Sequence, residues 1–344
     1  MSLQNKRVLL ASRPDGWVSD ENFTYDTVDV PDLAEGQVLL QNVYMSVDPY
    51  MRARMNDAKS YIPPFQIGAP LQAGMVAKVL ASRNANYSEG DYVVGMLNWE
   101  QYSITDGNGV DGTALRKIDP NLAPLSYHLG ILGMPGMTAW VGTKVIGEAK
   151  EGENLFVTAA SGAVGSVVGQ IGKNLGCRVV GSAGGPEKVA FLKEELGFDE
   201  AIDYKNVASP HKAVRQAFPD MIDVLFENVG GPMFEAAIMN MNFMGRIALC
   251  GMIADYNTKP SEMEPGPRGL FTLIGRNIKM QGFIVFNYQE GCAEWVQVAS
   301  GWLKEGKLKY KETVAEGIEN APDAFIGMLK GKNFGKQVVK ISDA

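Results

Sequence analysis

The stretch over residues 155–176 constrains the fold more than any other part of the chain. It opens with an apolar run, turns through Ala160-Ser161-Gly162-Ala163-Val164-Gly165, and continues with apolar residues at helical spacing. This order predicts a strand, a tight turn and a helix, and the turn fits G-x-G-x-x-G with alanine at the first position. Such glycines let the backbone approach a pyrophosphate, to which the helix N-terminus offers unpaired N–H groups. The turn predicts a dinucleotide site at Gly162, Ala163, Val164 and Gly165; the alternative is a glycine-rich turn that binds nothing.

Strands and helices alternate after this turn. The pattern predicts strands over 177–183, 201–204, 221–229, 246–251 and 279–285, and helices over 186–196, 210–218 and 232–241. Such alternation implies right-handed crossovers and an α/β fold with a doubly wound parallel sheet. Ligands of such sheets bind at the carboxyl ends of the strands.

The first part of the chain has a different texture. Residues 1–122 predict a β-rich domain with short strands over 7–11, 37–46, 74–80 and 92–96, separated by turn residues. We expect the second domain to span 123–310. The tail over 337–341 alternates like a strand, so we expect 311–344 to return to the first domain. The Pro- and Gly-rich segment 254–270 predicts an irregular loop, and such loops beside a cofactor site are often lids.

Charge and hydropathy exclude several classes of protein. The net charge is −7 without an evident basic patch, which disfavours nucleic acid as a partner. No apolar run reaches the roughly 18 residues of a membrane span, and the first residues lack the apolar core of a signal peptide. Three scattered cysteines argue against a disulfide framework and favour a reducing cytoplasm.

The same residues argue against a metal. Structural zinc needs four ligands and catalytic zinc three, whereas this chain has 3 Cys and 2 His at isolated positions. A catalytic site remains arithmetically possible, but no ligand pair has metal spacing. We therefore expect no metal, and a hydride-transfer enzyme without zinc suits reduction of a polarised C=C bond better than Lewis-acid oxidation of an alcohol.

The end of the second predicted strand distinguishes NADP from NAD. NAD sites carry an acidic residue there for the ribose 2′-hydroxyl, but this chain has Ser182, followed by Lys188. Serine and lysine suit a 2′-phosphate, so NADP(H) is the expected cofactor. Two alternatives stay open: Lys188 could be a solvated helix lysine, and Glu187 could act as a displaced ribose acid.

Six motifs carry a family resemblance. They are Ser46-Val47-Asp48-Pro49-Tyr50-Met51-Arg52, Gly133-Met134-Pro135-Gly136-Met137-Thr138-Ala139, Ala160-Ser161-Gly162-Ala163-Val164-Gly165, Glu227-Asn228-Val229-Gly230-Gly231, Gly282-Phe283-Ile284-Val285 and Asn333-Phe334-Gly335-Lys336. Through them the chain resembles, nearly end to end, the zinc-free medium-chain dehydrogenase/reductases. Within these it is most similar to the prostaglandin reductases, plant 2-alkenal reductases and bacterial curcumin reductase.

The resemblance implies a GroES-like first domain, a Rossmann second domain and NADPH in the cleft between them, in a homodimer. By analogy, Lys188 and Tyr204 hold the 2′-phosphate end with Ser182 and Gly184 nearby. Asn228 and Asn333 contact the nicotinamide ribose or phosphates. The residues around the nicotinamide would be Gly251, Phe283, Val285, Met134 and Thr138. Tyr256 would hydrogen-bond the nicotinamide ribose and the substrate carbonyl, and Tyr50 would lie at the substrate mouth.

Each of these roles has a structural alternative. Tyr256 could be an interfacial aromatic residue, Tyr50 a packing residue, and Asn228 and Asn333 turn-forming asparagines. The expected activity is NADPH-dependent reduction of the C=C bond of α,β-unsaturated ketones or aldehydes. A quinone reductase of the same superfamily and an NADPH-binding sensor or structural protein are the alternatives.

Overall fold

A computed structural model describes residues 3–263 and 266–344, and these separate into two compact units. The first unit runs to Gly130 and resumes at Glu312–Ala344, and the second is Ile131–Lys311. The first boundary lies beyond residue 122 because the 3-10 helix Leu125–Leu129 packs Leu125 and Leu129 against Val76 and Ile118.

The first unit is composed mainly of strands, whereas strands and helices alternate in the second. The first unit begins with β1 Gln4–Leu10, β2 Phe23–Asp29, β3 Val38–Ser46, α1 Tyr50–Arg54, β4 Gln72–Ser82, β5 Tyr92–Asn98, β6 Tyr102–Thr105 and β7 Arg116–Ile118. The second contains α2 Met134–Trp140, β8 Asn154–Val157, α3 Gly165–Asn174, β9 Arg178–Ala183, α4 Pro186–Ala190, β10 Glu200–Asp203, α5 Pro210–Ala217, β11 Ile222–Glu227, α6 Gly231–Met239, β12 Met241–Leu249, α7 Phe271–Gly275, β13 Lys279–Gly282 and α8 Gln289–Lys304. The first unit ends with β14 Glu312–Glu316, α9 Ala321–Leu329 and β15 Lys336–Lys340.

The first unit is built on a largely antiparallel sheet. Within the described residues its strand order is β14-β15-β3-β4-β5-β7, with β6 also paired to β3 and β1 paired to β2 in a separate ribbon. The C-terminal strand β15 pairs antiparallel with β3, so that Val338 lies opposite Ser46. The core contains the fully buried Trp99, which stacks on Phe23 and meets Phe325 edge-on.

The second unit confirms the predicted doubly wound sheet. Its described strands are all parallel and follow the order β10-β9-β8-β11-β12-β13. The order reverses between β8 and β11, which places a topological switch point at the carboxyl ends of these two strands. The glycine turn after β8 lies at this point.

Several predicted boundaries are wrong for physical reasons. The helix predicted over 232–241 ends at Met239, and β12 begins at Met241 rather than at residue 246, because Met241 pairs with Ile222 of β11. The strand predicted over 279–285 ends at Gly282, and Val285 begins a 3-10 helix, Val285–Asn287. The helix predicted over 186–196 is α4 followed by the π-helix Phe191–Glu195.

The segment 254–270, predicted as irregular, contains parts of two short helical turns. These are the 3-10 helices Ile253–Asp255 and Pro260–Glu262. Glu264 and Pro265, which belong to the segment predicted as irregular, lie outside the described residues. Across the described parts of the chain, no helix is both long and apolar enough to cross a membrane.

Candidate active site

The glycine turn joins β8 to α3 through a close approach of backbone to backbone. Ala159 has a φ of +49°, and a Cβ added to Gly165 would lie 2.4 Å from the Ala159 carbonyl oxygen. The Ala160 N–H donates to the Ser182 carbonyl at 2.9 Å, which ties the turn to the end of β9. Glycine is thus required where α3 begins. The N–H groups of Ser166, Val167 and Val168 donate to the carbonyls of Gly162 and Val164, so the N–H groups that suit an anion are those of the turn just before them. The predicted residues Gly162, Ala163 and Val164 lie in this turn.

The end of β9 gathers the predicted 2′-phosphate residues. Ser182 is buried there, and a Cβ on Gly184 would lie 2.8 Å from both Tyr204 Oη and Lys205 Cε. Burial lowers the pKa of the Lys188 ammonium, and the positive charge of Lys205 lowers it further. Two cations near one serine and one phenol suit a doubly charged phosphate.

Asp203 orders the two turns that carry these groups. Its Oδ1 accepts the backbone N–H of Gly185 at 2.8 Å and that of Lys205 at 3.1 Å. The carboxylate is therefore engaged by the protein's own backbone. Gly185 has a φ of +102° and open space at its Cβ position, which leaves room beside the cations.

Asn228 follows β11 at the switch point and is held by the end of β8. Its side-chain Nδ2 donates to the Thr158 carbonyl at 2.8 Å, and its backbone N–H donates to Thr158 Oγ1 at 2.8 Å. Its own carbonyl accepts the Ile253 N–H at 3.2 Å. The asparagine thus joins the ends of β8 and β11 to the 3-10 helix that follows β12, and within the described residues its side-chain oxygen accepts no hydrogen bond.

A cavity of about 530 Å³ opens at the carboxyl ends of β12 and β13. It is lined by Leu249, Cys250, Gly251, Met252, Tyr256, Gly282, Phe283, Ile284, Asn287 and Tyr288. Three predicted site residues, Gly251, Tyr256 and Phe283, therefore share one space. Phe283 is fixed there by edge-on contacts with the rings of Phe226 and Tyr288.

Tyr256 presents a protonated phenol in this cavity. Burial raises its pKa, Cys250 and Asp255 raise it further, and a hydrogen bond from the Met252 backbone opposes them. A Cβ on Gly251 would lie 3.3 Å from the phenol oxygen, so the glycine makes room for it. The phenol can donate a hydrogen bond to an oxygen that gains negative charge.

The other predicted residues of the second unit are largely engaged by the fold. Thr138 is buried and its hydroxyl donates to the Met134 carbonyl at 2.7 Å within α2. Val285 is buried, and its carbonyl accepts the Tyr288 N–H at 2.9 Å. Thr138 and Val285 thus form part of the wall of the unit.

Tyr50 and Asn333 belong to the first unit. Tyr50 opens α1 and packs against that unit's core, and burial followed by the nearby Asp48 raises the pKa of its phenol. Asn333 Nδ2 donates to the Gly335 carbonyl at 2.8 Å, in a turn where Gly335 has a φ of +61°. These contacts of Asn333 are those of a turn-forming asparagine.

Sequence reasoning missed two residues in these clusters. Lys205 directly follows Tyr204 at the end of β10, a position at the same sheet edge that could have identified it. Glu227 ends β11 with its carboxyl fully buried, where Oε1 accepts the N–H groups of Val229 and Gly230; its position in an apolar strand gave no signal of these contacts. Among the described residues, no three His, Cys, Asp or Glu side chains are grouped as a metal site.

Comparisons with known proteins agree with this architecture. The model described as the N-terminal domain of oxidoreductase matches residues 6–112, and the zinc-binding dehydrogenase model matches residues 163–301. The NADP(+)-dependent 2-alkenal reductase of Nicotiana tabacum is 45% identical, over 99% of this chain and 98% of the relative. The NADPH-dependent curcumin reductase of Escherichia coli strain K12 is 44% identical, over 98% of this chain and 97% of the relative.

A solved structure extends the comparison to three dimensions. The crystal structure of CurA in complex with NADPH from Vibrio vulnificus has a TM-score of 0.92 and 45% identity, covering 98% of this chain and 100% of that one. This chain belongs to the zinc-free medium-chain dehydrogenase/reductase family, in the branch of the 2-alkenal, curcumin and prostaglandin reductases.

Proposed function

We propose that this protein is an NADPH-dependent reductase of the C=C bond of α,β-unsaturated ketones and aldehydes. The observation that carries the proposal is the cavity in which a protonated Tyr256 faces the same space as Gly251 and Phe283. The relatives named as 2-alkenal, curcumin and (+)-pulegone reductases support the reaction class. The relative crystallised with NADPH supports the cofactor.

Most of the groups proposed for NADP(H) lie in the second unit, and Asn333 comes from the first. Lys188, Lys205 and Tyr204 would hold the 2′-phosphate beside Ser182 and Gly184, and the turn from Gly162 to Gly165 would hold the pyrophosphate. Asn228 and Asn333 would contact the nicotinamide ribose or phosphates. The nicotinamide would lie near Gly251, Phe283, Val285, Met134 and Thr138. When bound, NADPH supplies the hydride.

The protein's part in the reaction is to stabilise charge on the substrate. Reduction at the β-carbon moves an electron pair towards the carbonyl oxygen, which becomes an enolate. Tyr256 would donate a hydrogen bond to that oxygen, and a ribose hydroxyl of bound NADPH would supply a second donor. The proton for the α-carbon would come from Tyr256 or from solvent, and Tyr50 would lie at the substrate mouth.

A homodimer is part of the proposal. In the described structure β13 pairs only with β12, so the backbone of its other edge can pair with a second chain. Apolar side chains around this edge are exposed: Phe243, Met244, Phe271, Ile274 and Met280. Light scattering should give twice the chain mass for the wild type and a smaller mass for Met280→Lys; a wild-type monomer at micromolar concentration would refute the dimer.

A cytoplasmic location belongs to the same proposal. Cys177, Cys250 and Cys292 are free thiols. Free thiols and reduced NADPH both suit a reducing compartment.

The activity is tested by NADPH oxidation with a panel of enones, enals and quinones, run in parallel with NADH. The proposal predicts oxidation that depends on enones or enals, a product two hydrogens heavier by mass, and a strong preference for NADPH. Turnover with quinones alone would make the protein a quinone reductase. Tight NADPH binding without any turnover would point to a sensing or structural role.

A further inference from the structure

The two carboxyl oxygens of Glu227 differ in their hydrogen bonding. Oε1 accepts three hydrogen bonds, from Thr158 Oγ1 at 3.0 Å and from the backbone N–H groups of Val229 at 2.6 Å and Gly230 at 2.8 Å. Oε2 is buried and has no hydrogen-bond partner in the described structure. The residue is 0% exposed, and no ion pair involves it within the described parts of the chain.

Glu227 also supports the second loop of the site through its backbone. Its carbonyl accepts the N–H groups of Cys250 at 2.9 Å and Gly251 at 3.1 Å. Its side chain fixes the loop after β11, where Gly230 and Gly231 have φ values of +85° and +63°. One residue therefore positions the two loops that carry Asn228 and the wall of the cavity.

The environment of the carboxyl disfavours a negative charge. Burial raises the pKa of Glu227 to about 7, against the three hydrogen bonds, which favour the ionised form. The titratable groups near the carboxyl in the described structure are Cys250, Asp255 and Tyr256, and none of them can carry a positive charge. The Cys250 thiol stays neutral because its pKa is raised to about 12. An added anion near this loop would favour the neutral carboxyl further.

We propose that Glu227 is a positioning residue that takes up one proton from solvent, on Oε2, when the anionic dinucleotide binds. This inference rests on the proposed function, because it needs a dinucleotide at the strand ends. The proton neutralises the carboxyl while Oε1 keeps the loop donors. No other bond forms or breaks. The dinucleotide then binds more tightly at low pH, and its affinity falls as the pH rises above about 7.

Calorimetric titration of NADPH into the protein, in buffers of contrasting ionisation enthalpy, measures this proton directly. Because Glu227 is about half ionised at pH 7 before binding, the wild-type uptake should rise from about half a proton at pH 7 to about one at pH 8. Glu227→Gln, which keeps Oε1 and is neutral at every pH, should bind NADPH without that uptake. The 2′-phosphate contributes equally to both proteins, so the difference isolates Glu227. Asp255→Asn, an exposed carboxyl near Gly230, should behave as the wild type.

The outcomes separate this inference from the proposed function. Failure of the wild type to bind NADPH would overturn both, whereas binding without proton uptake, or equal uptake by Glu227→Gln, would overturn the inference alone. Thr158→Val is a second variant in case Glu227→Gln fails to fold. Thr158→Val removes one hydrogen bond that favours the ionised carboxyl, so the pH range in which binding takes up a proton should move higher. An unchanged pH range would contradict the role of Glu227.

Discussion

Lys336 Nζ lies 2.8 Å from Asp48 Oδ1 in the interior of the first unit, where both side chains are almost completely buried. The ammonium also donates to the Val47 carbonyl at 2.7 Å, and Ser46 Oγ donates to Asp48. Two of the shared sequence motifs, around residues 46–52 and 333–336, therefore meet in one buried ion pair. Part of the family signature is structural, and it joins the C-terminal strand to the N-terminal sheet.

Breaking this pair should destabilise the protein strongly. Lys336→Met leaves the Asp48 carboxylate buried without a cation, which costs about 3–5 kcal/mol. Urea unfolding followed by tryptophan fluorescence measures the loss. Lys340→Met, in the same strand but in an exposed pair with Asp343, is the matched control and should unfold like the wild type. Equal midpoints for the two variants would contradict the structural role.

Cofactor choice should depend on two lysines, Lys188 in α4 after β9 and Lys205 just after β10. Lys188→Ala or Lys205→Ala removes a charged donor to the 2′-phosphate, so the KM for NADPH should rise about tenfold to a hundredfold. The KM for NADH should stay unchanged, because that cofactor lacks the phosphate. Lys193 lies in the next helical turn and forms a surface ion pair with Glu200, so Lys193→Ala is the control and should change neither KM. Equal losses with both cofactors would refute the assignment.

Gly165, at the last glycine position of the turn pattern, should tolerate no side chain. In Gly165→Ala the new Cβ would lie 2.4 Å from the Ala159 carbonyl oxygen and 2.8 Å from Ala160 Cα. We expect weaker NADPH binding and a lower melting temperature. Gly301→Ala is the control, since a Cβ there meets nothing within 4 Å inside α8. Alanine at that position should stabilise by about 0.5–1 kcal/mol, and a harmless Gly165→Ala would disprove the close approach.

Tyr256→Phe tests the hydrogen-bond donor. With a good enone, kcat should fall about tenfold to a thousandfold, the scale of losing one donor to a developing oxyanion. NADPH binding should be retained. Tyr288→Phe provides the comparison, because Tyr288 lines the same cavity but its phenol accepts from Gln281 at 3.0 Å. A wild-type kcat for Tyr256→Phe would mean that another group stabilises the enolate.

The parts that the sequence predicts are those encoded by local pattern. The glycine turn and the alternation after it predict the parallel sheet, since each strand is a short buried run between helices. Cofactor groups sit at strand ends in such a sheet, which is why Ser182 could be assigned before any coordinates, whereas Tyr204 was added only through the family resemblance.

The parts that the sequence misses depend on distant partners. The role of Glu227 requires Thr158, 69 residues earlier in the chain. The start of β12 could not be predicted, because the apolar run through Met239 and Met241 continues a helical pattern. Pairing of Met241 with Ile222 of β11 makes this residue the first of the strand. Lysine is rarely buried, so the position of Lys336 could not be inferred from its own sequence context.

The measurement that tests the central claim most directly follows the hydride itself. The protein is given an enone and NADPH deuterated at the transferred position, in ordinary water, and the product is analysed by NMR and mass spectrometry. The account predicts a saturated ketone with deuterium at the β-carbon and hydrogen from water at the α-carbon. Deuterium at the carbonyl carbon of an unsaturated alcohol would contradict it.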